Sequence, residues 1–347
     1  MEFVNLSNIC DVYSGYAFKN FNDKKEGKPV IKIRNIKIDG TINKFDCSYT
    51  NEVPLEKFYS QKEDLYIALS GATTGKVGIM DEEGYLINQR VGVIRKKDIN
   101  VPINYIKVFL DSITGKILKD AVGAAQPNIS PKDILKYKFP LRRYDEMVKI
   151  SNIFTNINNK INICKKYILN LDDIVKSQFI EMFGDISQAE FKFKKIKLSE
   201  VCVKKSSNLQ INKLEKNFGE YPLYGASGLV KNIDFYISDK DYLGVVKDGS
   251  GAGKIFYLEK KSSIVGTMEY VYPKDNVTIR FLESSMNQLN IADSIAGIAI
   301  PHIYFKDYSE KYISLPPLEL QIEFENFVQL IDKSKYIILS YLITQTE

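Results

Sequence analysis

Two short stretches carry residue types that could handle a phosphate: Gly71-Ala72-Thr73-Thr74-Gly75-Lys76 and Gly249-Ser250-Gly251-Ala252-Gly253-Lys254. In each, glycines would let backbone approach a ligand closely, and a lysine supplies positive charge. The spacing is Gly-x-x-x-Gly-Lys, one residue shorter than a nucleotide-binding P-loop. Val77 and Ile255 stand where a magnesium-binding Ser or Thr is required. Nucleotide hydrolysis at these loops is therefore not expected.

Other enzyme chemistries also lack their residues. His302 is the one histidine, and it falls where the first half of the chain has Asn128. It reads as a surface or contact residue and not as a general base. No Gly-x-Ser-x-Gly elbow and no Gly-rich dinucleotide fingerprint occurs. The Asn/Asp-Pro-Pro-Tyr/Phe motif, with which amino-group DNA methyltransferases hold a target base, is absent, as is the Pro-Asp dipeptide of a nuclease. Cys10, Cys47, Cys164 and Cys202 have no short paired spacing, so no zinc site is expected, and the thiols read as reduced and mostly buried. No cofactor is expected.

At 347 residues the chain predicts two domains of roughly 150 residues with connecting elements. With 44% hydrophobic and 26% charged residues and no apolar run approaching ~18, it reads as a folded protein without a membrane span. The segment MEFVNLSNIC has neither a basic n-region nor an apolar h-region, so a cytoplasmic location is expected. A net charge of +5, from 48 basic and 43 acidic residues, permits nucleic acid as a partner without demanding it.

The elements that must position the glycine loops occur twice, in one order. LSNIC from Leu6 returns as LSEVC from Leu198. LYIALSGATTGKVGIM from Leu65 returns as YLGVVKDGSGAGKIFYL from Tyr242, each reading as two strands flanking a turn. β-Branched runs follow (LINQRVGVIR from Leu86, SIVGTMEYVYP from Ser263), then helical stretches over 105–119 and 278–289. GAAQPNISPKDI from Gly123 matches GIAIPHIYFKDY from Gly297, and FPLRRYDEMVKI from Phe139 matches LPPLELQIEF from Leu315.

A long helix closes each half. Met147, Ile150, Phe154, Ile157, Ile161, Cys164, Ile168, Leu171, Val175, Gln178 and Met182 step by three and four, as in a heptad seam. Such a helix is about 55 Å long and too extended to bury its stripe on one small domain. In the second half Phe324, Val328, Ile331, Ile338 and Leu342 keep the equivalent register, with Lys335 interrupting the seam. The pair predicts antiparallel packing with pseudo-twofold symmetry; a homotypic oligomerisation coiled coil is the competing reading. Gly184-Asp185 stops the first helix, and residues 186–197 read as a linker.

The order of SGATTGKVGI, LINQRVGVIR, AAQPNISPKDI, KFPL and a heptad helix, repeated once, resembles the specificity (S) subunit of Type I restriction-modification systems. The resemblance covers essentially the whole chain. It implies an α+β fold with two tandem mixed α/β target recognition domains, 1–143 and 185–315, followed by spacer helices at 144–184 and 316–347. It further implies a non-catalytic subunit reading a bipartite, asymmetric double-stranded DNA site. Two methyltransferase subunits would modify an adenine in each half-site, and a restriction and translocase subunit would cut unmodified DNA. The second helix is shorter than the first, and GTMEYV stands where the first half has NQRVGV.

Under that resemblance, backbone amides of residues 71–75 and 249–253, with Lys76 and Lys254, suit the sugar-phosphate chain. A tight hairpin with no ligand is the alternative. For base edges, Gln89 and Arg90 are attractive, because Gln pairs bidentately with adenine and Arg with guanine. Their expected equivalents are Thr267 and Met268. Gln126 and Asn128, followed by Ser130, form a second loop, matched by His302 and Tyr304; Tyr16 and Lys19 are weaker candidates. A different class remains open from the residues alone: a coiled-coil scaffold whose two globular units bind protein or glycan.

Overall fold

The computed structural model describes residues 1–22, 25–37, 39–121, 127–295 and 301–344. Gln126 and residues 296–300 of the second expected loop pair lie outside them. The chain forms two compact units, Met1–Ile163 and Cys164–Glu347, with the division inside the long helix.

The first unit is built on a four-stranded antiparallel sheet ordered Cys10–Ser14, Val91–Lys96, Leu65–Ala68, Val77–Ile79. Its central strand LYIA is buried on both faces. Leu65 and Ile67 pack into one core with Leu6, Ile94, Ile106, Leu110, Ile117 and Phe139, whereas Tyr66 and Ala68 face Ile31, Met80, Ile87 and Val93. That period of two explains why the strand is a continuous apolar run and not an alternating one. A three-stranded sheet, Ser48–Thr50, Lys28–Ile31, Leu86–Ile87, covers the second face, with a parallel pairing between its last two strands. A ribbon of Glu2–Asn5 against Lys138–Leu141 closes the unit.

The second unit repeats this strand for strand. Its sheets are Cys202–Ser206, Met268–Pro273, Tyr242–Val246, Ile255–Leu258 and Gly228–Ile233, Tyr221–Gly225, Ser263–Ile264, with a ribbon of Lys194–Lys197 against Tyr312–Leu315. The cores alternate in the same way: Leu243 and Val245 on one side, Tyr242 and Val246 on the other. The equivalent cysteines Cys10 and Cys202 open the outer strands, and burial pushes both thiols up to about 12.

Three elements differ in extent from the sequence reading. The helical stretch 105–119 is two helices, Ile103–Ser112 and Thr114–Asp120, because Ile113 leaves helical geometry (φ −104°, ψ 10°) between them. The stretch 278–289 is one helix, Ile279–Gln288. The run LINQRVGVIR is two strands in different sheets, Leu86–Ile87 and Val91–Lys96, joined by the turn 88–90.

The long helix runs unbroken over Tyr144–Phe183, 40 residues. It ends where Gly184, at φ +92°, donates its N–H to the Ile180 carbonyl, a left-handed terminus that a Cβ would block at 2.4 Å from the Glu190 carbonyl oxygen. Met147 and Ile150 pack on the first unit's core, and Val175, Phe179, Met182 and Phe183 on the second's. The remaining seam residues Ile157, Ile161, Cys164, Ile168, Leu171 and Gln178 are half-buried; Phe154 is 47% exposed and leaves the stripe.

Within the second unit the long helix meets the final helix, Leu318–Thr344. Phe179 and Phe183 meet Phe324 edge to face with centroids 5.4 and 5.6 Å apart, and Asp172 pairs with Lys335. Residue numbers fall on one helix as they rise on the other, so this stretch is antiparallel. Phe324 and Val328 are buried, Ile331 and Ile338 half-buried. Lys335, the break in the seam, is thus given a carboxylate on the facing helix.

Candidate nucleic-acid interface

Each glycine loop is a tight hairpin between the third and fourth strands of its sheet. In the first unit Gly75 N–H donates to the Ala68 carbonyl (2.9 Å), Thr74 N–H to Gly71, Lys76 N–H to Thr73, and Gly71 N–H to Pro127 (3.0 Å). The second unit reproduces these bonds at Gly253 to Val246 (2.8 Å), Ala252 to Gly249, Lys254 to Gly251 and Gly249 to Pro301 (2.9 Å). Gly71, Gly75, Gly249 and Gly253 all have φ between +84° and +90°. All four glycines are therefore favoured by the turn, and Gly75 and Gly253 also by packing: a Cβ on Gly75 would meet Ile117 at 3.2 Å, and one on Gly253 would meet the Ala292 backbone at 2.8 Å.

This changes the reason for the motif. The amides of Gly71, Thr74, Gly75 and Lys76, and of Gly249, Ala252, Gly253 and Lys254, are committed to backbone carbonyls and cannot also cradle a phosphate. Thr74 is buried with its hydroxyl donating to Gly71 O at 2.7 Å, and Gly75 is buried beside it. Thr73 and Gly251 are half-buried, whereas Ser250 and Lys254 are exposed and Lys76 is half-buried. Among the described residues neither lysine has a carboxylate partner.

The loops come together with two others. The turn 88–90 carries the chain from one sheet to the next: Asn88 accepts Val91 N–H on its carbonyl and Arg90 N–H on its side chain, which leaves Gln89 and Arg90 exposed. Leu69 N–H donates to Arg90 O (3.0 Å), and Leu69 O in turn accepts Ile129 N–H (2.9 Å). Gln89, Arg90, Ser70 and Asn128 consequently line one open cleft of about 600 Å³. Among the described residues Arg90 has no carboxylate partner, so its guanidinium is available to an anion or a base. Ser130 borders the cleft but caps the helix Pro131–Ile134, its hydroxyl accepting Asp133 N–H. Tyr16 packs edge-on to Phe18 and tilted against Phe58, and Lys19 is exposed.

The same bonds fix which residues of the second unit are equivalent. Lys247 N–H donates to Thr267 O (3.0 Å) and Ile303 N–H to Lys247 O (2.9 Å). Arg90 thus corresponds to Thr267, Gln89 to Gly266, Asn128 to His302, Ser70 to Asp248, and Leu69 to Lys247. The expected pairing of Arg90 with Met268 is one residue out. Met268 is the first residue of its strand, fully buried among Tyr242, Leu258 and Ile264, and corrects to a core position that no DNA base can reach. Thr267 and Tyr304 are exposed, and His302 is half-buried with Nδ1 3.3 Å from an Asp248 carboxylate oxygen and its ring 5.3 Å from that of Tyr304.

Asp248 and Lys247, which sequence reasoning passed over, stand at the end of the apolar run LGVV, directly before Gly249; that abrupt change to charge was their one signal. Behind them Glu269 is 3% exposed, accepts the Tyr308 hydroxyl at 2.8 Å, and is pushed above the ordinary carboxylate range by burial.

Similarity to known proteins accords with this duplicated arrangement. The family described as Type I restriction modification DNA specificity domain matches twice, over residues 1–172 and 190–346. The chain belongs to this family. A Mycoplasma pneumoniae protein assigned as type I specificity subunit S.MpnORF285P is 27% identical over 165 residues, 45% of this chain and 51% of that protein. The EcoBI specificity subunit of Escherichia coli is 20% identical across 92% of this chain and 77% of its own length. The chain spans about half the length of the first relative. The crystal structure of a Type I restriction-modification S subunit from M. genitalium shares the fold, with a TM-score of 0.62 at 17% identity, covering 99% of this chain and 92% of that one. Among the described residues no helix is long and apolar enough to cross a membrane.

Proposed function

We propose that this specificity-family chain is a non-catalytic, cytoplasmic DNA-reading subunit of a Type I restriction-modification complex, recognising a bipartite, asymmetric duplex target. The observation that carries the reading is one hydrogen-bond framework with unlike side chains: it holds Gln89, Arg90 and Asn128 at an open cleft in the first unit and Gly266, Thr267 and His302 at the matched positions of the second. Phosphate contacts position a protein and base-edge contacts specify sequence. Lys76 and Lys254 take the first role, the cleft residues the second.

Residues 1–143 and 185–315 are the two recognition domains, and the helices 144–184 and 316–347 serve as the antiparallel spacer that sets the gap. Apolar side chains remain exposed along both helices: Ile163, Tyr167 and Ile174 on the first, Leu330, Ile337 and Tyr341 on the second. Their spacings of four and seven put each set on one face, a surface suited to two methyltransferase subunits. Adenine methylation and, with the restriction subunit, cleavage are the partners' work.

The deciding experiment reconstitutes the chain with its cognate methyltransferase subunit and maps methylated adenines on a duplex library. A split motif with two unlike halves is the expected result, and a continuous motif overturns the geometry. Failure of DNA to retain the chain in a salt-sensitive manner favours the protein- or glycan-binding scaffold instead.

A further inference from the structure

The second unit's matched loops differ from the first unit's in a way that names a base pair. Lys247 and Asp248 are consecutive, yet their charged ends lie on the same side, with Lys247 Nζ 3.5 Å from Asp248 Oδ2. Both side chains are about one-third exposed, at 29% and 34%. The equivalent first-unit residues are Leu69, which is buried, and Ser70. Asp248 is further held by the backbone bridge to His302 and by the His302 ring on its other carboxylate oxygen.

A carboxylate is an unfavourable neighbour for a phosphate chain, and Lys247 and the His302 ring make this one tolerable there; each of its oxygens still has a lone pair that a base-edge donor can use. In the major groove the unobstructed donor is cytosine N4; adenine N6 sits beside the N7 acceptor, which repels a carboxylate. Lysine offers only donors and suits guanine O6 and N7, the acceptors on the other base of the same pair. Side by side, an acceptor and a donor complement the two edges of one C·G pair.

Resting on the DNA-reading function argued above, we propose that Lys247 and Asp248 together read a single C·G base pair in the half-site of the second unit, Asp248 on cytosine N4 and Lys247 on guanine, with His302 positioning the carboxylate. Thr267, exposed beside them, then contributes to a neighbouring position.

Selection of a randomised duplex library by the full-length chain, followed by sequencing of the bound fraction, tests this directly. Wild type, Asp248→Asn, Lys247→Ala and, as a control in the other unit, Arg90→Ala are compared. Thermal unfolding checks that each variant is folded. Both Asp248→Asn and Lys247→Ala are expected to lose the preference for C·G at the same position by roughly tenfold or more, leaving every other position unchanged. Arg90→Ala should alter a different half. If Lys247→Ala weakens binding evenly across the library, or Asp248→Asn leaves all preferences intact while wild type still selects a site, the assignment is overturned. If wild type selects no sequence, the DNA-reading function fails, and this inference with it.

Discussion

Arg90 presents a guanidinium at the edge of a cleft, free of any carboxylate among the described residues, and Gln89 stands beside it. Removal of such a bidentate donor typically costs about 1–3 kcal/mol of discrimination at one base pair. Arg90→Ala should therefore relax one half-site while leaving the other as selective as before. Lys76→Ala and Lys254→Ala should act differently, weakening all sequences alike and lowering the slope of log K against log salt by roughly 0.9 for each phosphate that is no longer neutralised. Fluorescence anisotropy on cognate and scrambled duplexes over a salt series separates the two behaviours; wild-type binding by all these variants would show the DNA face to be elsewhere.

Glu269 makes a residue-scale statement about pH. Its carboxyl is raised above the ordinary range by burial, with Tyr308 and Lys204 only partly offsetting this. A raised carboxyl means that the folded chain holds the proton more tightly than the unfolded chain. Stability then falls as pH climbs from the ordinary carboxylate range through the raised folded value. Glu269→Gln keeps an oxygen for the Tyr308 hydroxyl and removes the ionisation, so its unfolding midpoint should decline less than that of wild type as pH rises above the ordinary carboxylate range. An identical pH slope in the two proteins would mean that the carboxylate is solvated from outside.

At the scale of elements, the hairpins show how a motif can be legible and still be misread for its purpose. Gly249 and Gly253 share the positive φ that strains an L residue by roughly 1–2 kcal/mol. Open space surrounds a Cβ at Gly249, whereas Gly253 abuts the Ala292 backbone at 2.8 Å. Gly253→Ala should accordingly lose clearly more stability in urea unfolding than Gly249→Ala; equal losses would reduce both glycines to conformational demand alone. The spacing Gly-x-x-x-Gly-Lys was visible in the sequence because turn chemistry is local. The commitment of its amides was not, because Gly71 and Gly249 bond to Pro127 and Pro301, more than fifty residues away. Met268 was displaced for a related reason: whether a residue starts a strand or precedes it depends on the partner strand, and a shift of one residue turns a side chain from the solvent to the core. The helices, whose period is written into a single segment, were the easier part, and the terminal Gly184 falls where that period stops.

At the scale of the whole molecule, one scaffold is used twice with different contents. The strand orders and the bonds around the matched loops coincide, so the specificity carried by the side chains at four matched positions should be transferable between units, Lys247 being matched to the buried Leu69 and left out of the exchange. Ser70→Asp, Gln89→Gly, Arg90→Thr and Asn128→His together place the second unit's residues on the first unit's framework. All four sites line the first unit's cleft; Gln89, Arg90 and Asn128 are exposed, and the buried Ser70 hydroxyl, which has no hydrogen-bond partner among the described residues, is the site at which thermal unfolding must check the exchange. The exchanged chain should select duplexes whose first half-site has moved toward the second. Library selection, read separately for each half, measures this. Retention of the original first half-site by a folded quadruple variant would place sequence reading outside these four positions.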